Sequence, residues 1–334
     1  MRHFVIAGIL VIVAAVLTYM GLVAIGLLPT AASAQAASID WLWNWEVMTI
    51  SFLFALIVVP LVYSLVVFRR QKGDTTDAEH IEGNTKLEIA WTIAPLFIVI
   101  IFAYMGAYSL AETRRVDPQA MVVNVKASQW NWSFEYPEYG FVSNELHLPV
   151  DRQVVLKMES TDVIHSFWVP EFRVKQDIVP GRVTELRITP TVTGNAYKVR
   201  CAELCGTSHY RMEQAVIVSS EGDFKQWALV QQAGLAAAQT PEAKGELLVK
   251  ANACLGCHSI DGSKLVGPTW FGLSGSQVQL SNGSTVTADE AFITESILNP
   301  SAKIVAGFET QVMPAYTFTE EEIASIIAYL KTLK

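Results

Sequence analysis

The stretch Cys201-Ala-Glu-Leu-Cys205-Gly-Thr-Ser-His209-Tyr-Arg-Met212 gathers two thiols, an imidazole and a thioether on one short loop. Three chemistries use such groups. A disulfide between Cys201 and Cys205 closes a loop short enough to strain the geometry that disulfides prefer. Zinc takes four closed ligands, and Cys201, Cys205, His209 and the upstream His165 could supply them, but it has no use for the neutral thioether of Met212. Thiolate, imidazole and a weak axial thioether on an all-β domain form the donor set of copper electron-transfer sites. Two thiolates where a mononuclear site needs one indicate two copper ions sharing both sulfurs. Each ion then keeps one histidine, His165 or His209. Met212 serves as axial donor to one ion and the backbone oxygen of Glu203 to the other. A rigid bridged pair shares one charge and rearranges little when an electron arrives. Donor softness favours copper, with zinc as its rival.

The other two cysteines lie in Cys254-Leu-Gly-Cys257-His258, the C-x-x-C-H pattern of covalent c-type haem attachment. The spacing follows from the chemistry: two thiols add to the two vinyl groups, and the adjacent imidazole becomes an axial iron ligand. A zinc or redox loop is the alternative for the bare pattern. Met313, the only Met after Cys254, precedes a capped terminal helix and suits the second axial position. Gly267-Pro268 offers a carbonyl to orient His258.

These groups need elements to hold them. The chain of 334 residues is 51% hydrophobic and only 17% charged, too apolar for a wholly soluble protein. Three uncharged runs account for this, Phe4–Leu28, Val47–Phe68 and Ile89–Ala111, each long enough to cross a bilayer as a helix. The first run is followed by Ala32-Ser33-Ala34, with the small-residue spacing of a signal-peptidase site, so residues 1–34 read as a signal peptide or as an extra membrane helix. Arg69, Arg70, Lys72 and Lys86 between the second and third runs put that loop on the cytoplasmic side, although Asp74, Asp77, Glu79 and Glu82 dilute the signal. Everything after Ala111 then lies outside. A net charge of −8 without a basic stripe excludes a nucleic-acid partner.

From Met121 to about Ser220 short alternating segments between Gly and Pro read as strands of an antiparallel sandwich or barrel. In Gln129-Trp130-Asn131-Trp132-Ser-Phe134-Glu-Tyr136 the alternation puts four aromatics on one face, with Trp132, Phe134 and Tyr136 assigned to the core. Residues 221–240 read as a linker, and Gly234–Thr240 as its small, polar part. After it the texture is helical, closing on Thr319-Glu-Glu-Glu322, a capping box, and an apolar face of Ile323, Ile326, Ile327 and Leu330. His3, His80 and His147 have no chemical context and read as solvated or structural.

At these motifs the sequence resembles subunit II of the haem–copper cytochrome c oxidases, in the bacterial variety with a cytochrome c domain fused at the C-terminus. Asp162-Val-Ile-His165-Ser-Phe-Trp-Val-Pro170 and Lys175-Gln-Asp-Ile-Val-Pro-Gly-Arg182 match the family's copper-domain segments, and Cys201 to Met212 match its CuA loop position by position. The resemblance implies a multi-domain membrane protein: a transmembrane helical hairpin over 40–115 (helices about 47–68 and 88–111), a CuA cupredoxin Greek-key barrel over 116–220, and an all-α class I cytochrome c domain over 241–334. By the same resemblance, Glu203 ligates copper through its carbonyl, while its carboxylate helps hold magnesium or manganese at the boundary with subunit I. Trp130 stands where the family places its electron-accepting tryptophan. Glu88 stands at the family's proton-channel entrance, though a carboxylate at a helix start is also ordinary dipole chemistry. Asn131 departs from the family's usual aromatic, which speaks against a standard docking patch for a free cytochrome c.

The function so implied is electron transfer from a reduced cytochrome or a quinol-oxidising complex to haem c, then CuA, then subunit I. There oxygen is reduced to water and protons are translocated, in a bacterial plasma membrane spanned more than once, with lipid around the anchor and copper and haem domains on the periplasmic face. The cytochrome domain carries ten acidic residues against six lysines, which mildly favours a basic donor. Two alternatives use the same motifs: the electron-accepting subunit of a CuA-containing nitric oxide reductase, and a membrane-anchored cytochrome with a zinc-stabilised β domain.

Overall fold

The computed structural model describes all residues except Ala78, Glu79, Ala253, Gln311, Val312, Pro314 and Ala315. Glu79 of the cytoplasmic-loop reading therefore lies outside the described residues. The chain divides into two compact units, Met1–Ala31 with Gln35–Arg115, and Ala32–Ala34 with Val116–Lys334.

Among its described residues the first unit holds three helices, α1 (Arg2–Ile25), α2 (Ala34–Val67) and α3 (Thr85–Thr113), each long and apolar enough to cross a membrane. α2 begins well before the apolar run that predicts it, because nothing in the preceding Ala- and Trp-rich turns breaks a helix. His3 Nδ1 meets Tyr63 Oη at 2.8 Å and Ser38 Oγ donates to Ser109 Oγ at 2.9 Å, so consecutive helices run in opposite directions. Large apolar side chains such as Phe4, Ile57 and Phe97 point outward, as lipid-facing surfaces require. Asn84 caps α3, its side chain accepting from Leu87 N, while Glu88 Oε1 turns back to accept from Asn84 N at 3.2 Å.

The second unit begins with a β domain of β1 (Met121–Ser128), β2 (Asn131–Tyr136), β3 (Phe141–Ser143), β4 (Leu146–Pro149), β5 (Val154–Ser160), β6 (His165–Trp168), β7 (Lys175–Ile178), β8 (Thr184–Ile188), β9 (Gly194–Cys201) and β10 (Glu213–Ser219). They form two five-stranded sheets, β3-β2-β1-β5-β8 and β4-β10-β9-β6-β7, in a cupredoxin-like sandwich. The pairing is mixed rather than purely antiparallel: β1 lies parallel to β5, with Met121 opposite Val154, and β4 parallel to β10. Alternation along a strand says which face is buried but not the direction of the neighbour. Trp132, Phe134 and Tyr136 are buried in the core as expected. Ala32 and Ser33 are buried too, with Ala32 N donating to Glu171 O and Ser33 Oγ to Phe172 O.

Most of the segment read as a linker, 221–240, is helical. Glu221–Ala237 form α4, capped by Ser220, and Phe224, Trp227 and Ala228 lie on its inward face against the sandwich. Good helix formers surround that apolar triplet, which the small, polar tail of the segment obscures. Trp227 stacks on His147 at 3.8 Å with the rings 6° from parallel, giving that histidine its structural role.

The cytochrome domain comprises α5 (Pro241–Ala251), β11 (Gln277–Gln279), β12 (Thr285–Thr287), α6 (Glu290–Leu298) and α7 (Glu320–Leu330). It is helical, with the small β11–β12 hairpin as an addition to the all-α expectation. The capping box of α7 is formed in both directions, and Ile323, Ile326, Ile327 and Leu330 are buried. α5 crosses α7 at Gly245, where an added Cβ would stand 2.0 Å from Ser325 O and 2.8 Å from Tyr329 Cβ. Gly245→Ala therefore forces the crossing apart and is expected to destabilise the cytochrome domain by about 1–3 kcal/mol. Thermal unfolding followed by circular dichroism measures this; a Tm equal to wild type would contradict the close crossing.

Candidate functional site

The register of β6 on β9 builds the cluster. Phe167 lies opposite Cys201, which sets His165, two residues before Phe167, beside the cysteine that ends β9. The loop after β9 then returns Cys205, His209 and Met212 to the same place, with a 3-10 turn at His209–Arg211. His165 Nδ1 lies 3.8 Å from Cys201 Sγ, the two sulfurs are 3.7 Å apart, and Cys205 Sγ is 3.4 Å from His209 Nδ1. Glu203 O is 3.1 Å from Cys201 Sγ, and Met212 Sδ is 3.8 Å from Cys205 Sγ. All six donors expected from the sequence thus converge, and the four cysteines of the chain are free of disulfides. His165, Met212, Cys201 and Cys205 are buried, whereas the Glu203 side chain is exposed.

Electrostatics ready this pocket for a cation. Burial opposes charge on His165, but the Asp162 carboxylate, 2.8 Å from Nε2, more than offsets it and raises the pKa to about 9. Burial also opposes a Cys201 thiolate, yet the His165 contact and nearby backbone groups bring that thiol down to about 6. Cys205 is pushed up to about 12, first by burial and then by the charge on Cys201. Two thiolates side by side need a positive ion between them, and a bound metal would supply it.

Asp162 is quoted in the sequence motif, but its task appears only in the fold. It accepts the His165 Nε2–H through Oδ1, leaving Nδ1 toward the sulfurs, and accepts the Gln129 backbone N–H through Oδ2. A carboxylate that fixes a ligand histidine's tautomer is a common outer partner of metal sites, and a carboxylate three residues before the histidine is the signal that could have revealed it.

The C-x-x-C-H residues line a cavity of about 730 Å³ in the cytochrome domain, together with Met313, Tyr316, Trp270 and Phe292. That size is within the range of cofactor pockets, roughly 300–1,000 Å³. His258 Nδ1–H donates to Pro268 O at 2.7 Å, as the Gly267-Pro268 reading expects, and burial holds the ring's pKa low. A neutral ring with Nδ1 engaged keeps its Nε2 lone pair for an axial bond. Gly267 has no side chain because a Cβ there would stand 2.8 Å from His258 Cε1. Trp270, which the sequence reading passes over, stacks on His258 at 4.6 Å and 15°. Burial pushes the Cys254 thiol up to about 12 and raises Cys257 as well. Pro314, beside Met313, lies outside the described residues.

The same cavity is walled on the β-domain side by Gln129, Trp130 and Asn131. Trp130 is half-buried, and its indole Nε1 donates to Cys205 O at 3.2 Å, so one side chain touches both candidate sites. Asn131 Nδ2 donates to Asn252 O at 3.4 Å and its Oδ1 accepts from Gln214 at 3.5 Å. The position where an aromatic is expected thus meets the chain's own cytochrome domain. Glu88 lies in the helical unit, at the start of α3.

Three family models match the chain: the cytochrome c oxidase subunit II transmembrane domain over residues 21–111, its periplasmic domain over 140–220, and cytochrome c over 242–334. The cytochrome c oxidase subunit 2 of Synechocystis sp. is 36% identical over 60% of this chain and 75% of its own length. That of Alkalihalophilus pseudofirmus is 30% identical over 87% of each chain. The crystal structure of the periplasmic domain of subunit II from Bradyrhizobium japonicum is 31% identical, covering 34% of this chain and 96% of its own, with a TM-score of 0.32. With two relatives at 30% identity or more, each matched across at least three quarters of its length, and models matching both halves of subunit II, this chain belongs to the cytochrome c oxidase subunit II family and carries a C-terminal cytochrome c domain.

Proposed function

We propose that the chain is the electron-accepting subunit of a cytochrome c oxidase. It takes electrons from a reduced cytochrome or a quinol-oxidising complex at a covalently held haem c. It passes them through a dinuclear CuA centre to a haem–copper subunit I, where oxygen is reduced and protons are translocated. The observation that carries this reading is the row His165 Nδ1, Cys201 Sγ, Cys205 Sγ and His209 Nδ1, with steps of 3.8, 3.7 and 3.4 Å. Each sulfur has its own imidazole, and Met212 adds a soft donor that zinc would not use. When bound, a copper pair and a haem iron each take up and release single electrons at little structural cost.

The chain's own residues do the rest. His165, Cys201, Cys205, His209, Met212 and the Glu203 carbonyl hold the copper ions, and the exposed Glu203 carboxylate is free to reach magnesium or manganese at a subunit I boundary. Cys254 and Cys257 would anchor the macrocycle of a haem, with His258 and Met313 as the residues that would hold its iron. Trp130, in contact with the Cys205 carbonyl and the haem cavity, is the bridge between the two. Tethering the cytochrome domain replaces a bimolecular encounter with a high effective concentration. Alternating helix directions, with Arg2, Arg69, Arg70, Lys72 and Lys86 gathered at one end, support a multi-pass anchor whose basic end is cytoplasmic, as in a bacterial plasma membrane. The domains follow as 1–34, 40–115, 116–220, a helical connector over 221–240, and 241–334. Glu88 stands at the cytoplasmic start of α3, where the proton-entrance role is proposed alongside its observed capping bond.

Metal analysis of the purified protein tests the central reading: two coppers per chain with a near-infrared band are expected, and zinc or a single copper overturns it. Cys205→Ser is expected to abolish that band and electron transfer beyond haem c; transfer at the wild-type rate refutes the route. Met313→Ala removes the thioether that raises a haem's potential, so a redox titration should give a lower midpoint, and an unchanged midpoint would return Met313 to the core.

A further inference from the structure

Gln129 sits between the two arms of the sulfur cluster, and the donor set alone gives it no reason to be there. Its backbone N–H donates to Asp162 Oδ2 at 2.6 Å, and the other oxygen of that carboxylate accepts from His165. Its carboxamide Nε2 donates to Cys205 O at 2.7 Å. One residue therefore grips the histidine arm through Asp162 and the cysteine arm directly. Gly206 makes the second grip possible: it holds φ +115°, and a Cβ there would stand 2.8 Å from Gln129 Nε2 and 3.1 Å from Trp130 Cζ2. A glycine in that region restrains its peptide plane weakly. The Cys205–Gly206 plane depends instead on the N–H donors that converge on its oxygen, Gln129 Nε2 and Trp130 Nε1.

We propose that Gln129 is a positioning residue of the metal centre, its carboxamide fixing the Cys205 carbonyl and thereby the placement of Cys205 Sγ relative to the His165–Cys201 pair. The proposal rests on the copper reading above. Its physical content is preorganisation: a cysteine whose peptide plane is pinned cannot follow changes in the ion's charge, which keeps rearrangement small. The side chain must donate, because the group facing it is a carbonyl oxygen, which only accepts.

The test uses the full-length, copper-loaded protein with Q129M, which keeps the side chain's length and bulk without an N–H, and Q129N, which keeps the carboxamide but falls one methylene short. Both are expected to shift the near-infrared copper band and to lose copper to a chelator roughly three- to tenfold faster than wild type, the fold-change that one net hydrogen bond represents. Q129E, which sets an acceptor against the carbonyl, is expected to lose it faster still. A wild-type band and release rate in Q129M or in Q129N overturn the proposal, as does lowered thermal stability with an unchanged band, which assigns Gln129 to packing. Should the wild-type protein itself hold zinc or one copper, the copper reading falls and this proposal with it; two coppers in wild type with an unperturbed Q129M sink the proposal alone.

Discussion

The antiparallel register between β6 and β9 is the constraint that the site depends on. With Phe167 opposite Cys201, the first residue of β6 reaches the end of β9, and a histidine 36 residues upstream meets a thiol. A slip of one residue would turn His165 to the other face of the sheet, because side chains alternate with a period of two. Trp132 reinforces the register from beneath: it packs edge-on to Phe167 and donates its indole N–H to Met212 O. The aromatic core and the donor cluster are thus one structure, and the rigidity that the proposed electron transfer needs comes from the packing.

Charge is arranged around the same point. Asp162 takes the outer nitrogen of His165, the two thiols differ in acidity because burial and the charge on Cys201 oppose ionisation of Cys205 while His165 and backbone groups favour that of Cys201, and the loop closes over the sulfurs with Met212 buried. A metal ion would let both sulfurs ionise, and β6, the end of β9 and the loop after it together bring six donor atoms to one place. The cytochrome domain follows a parallel logic: Pro268 and Gly267 fix the plane of His258, and Trp270 stacks on it.

The contact between the β domain and the cytochrome domain gives the fusion its consequence. Asn131, Gln129 and Trp130 share a cavity with the C-x-x-C-H residues, and the Trp130 indole is bonded to the cysteine loop. These three β-domain residues face the chain's own C-terminal domain. The helix α4, anchored by Phe224 and Trp227, sets where that domain begins.

Much of this was legible in the residues. Apolar runs, C-x-x-C-H, the Cys201–Met212 loop and the Thr319–Glu322 capping box each carry their chemistry within a short stretch, where spacing and donor type suffice. The aromatic alternation of β2 named its core residues for the same reason. Other features were decided only by the tertiary structure. The direction of β1 against β5, the helical state of 221–237 and the stacking of Trp270 on His258 depend on neighbours distant in the chain. So do the roles of Asp162 and Gln129, because a carboxylate or a carboxamide names no partner until the fold brings one within hydrogen-bonding distance.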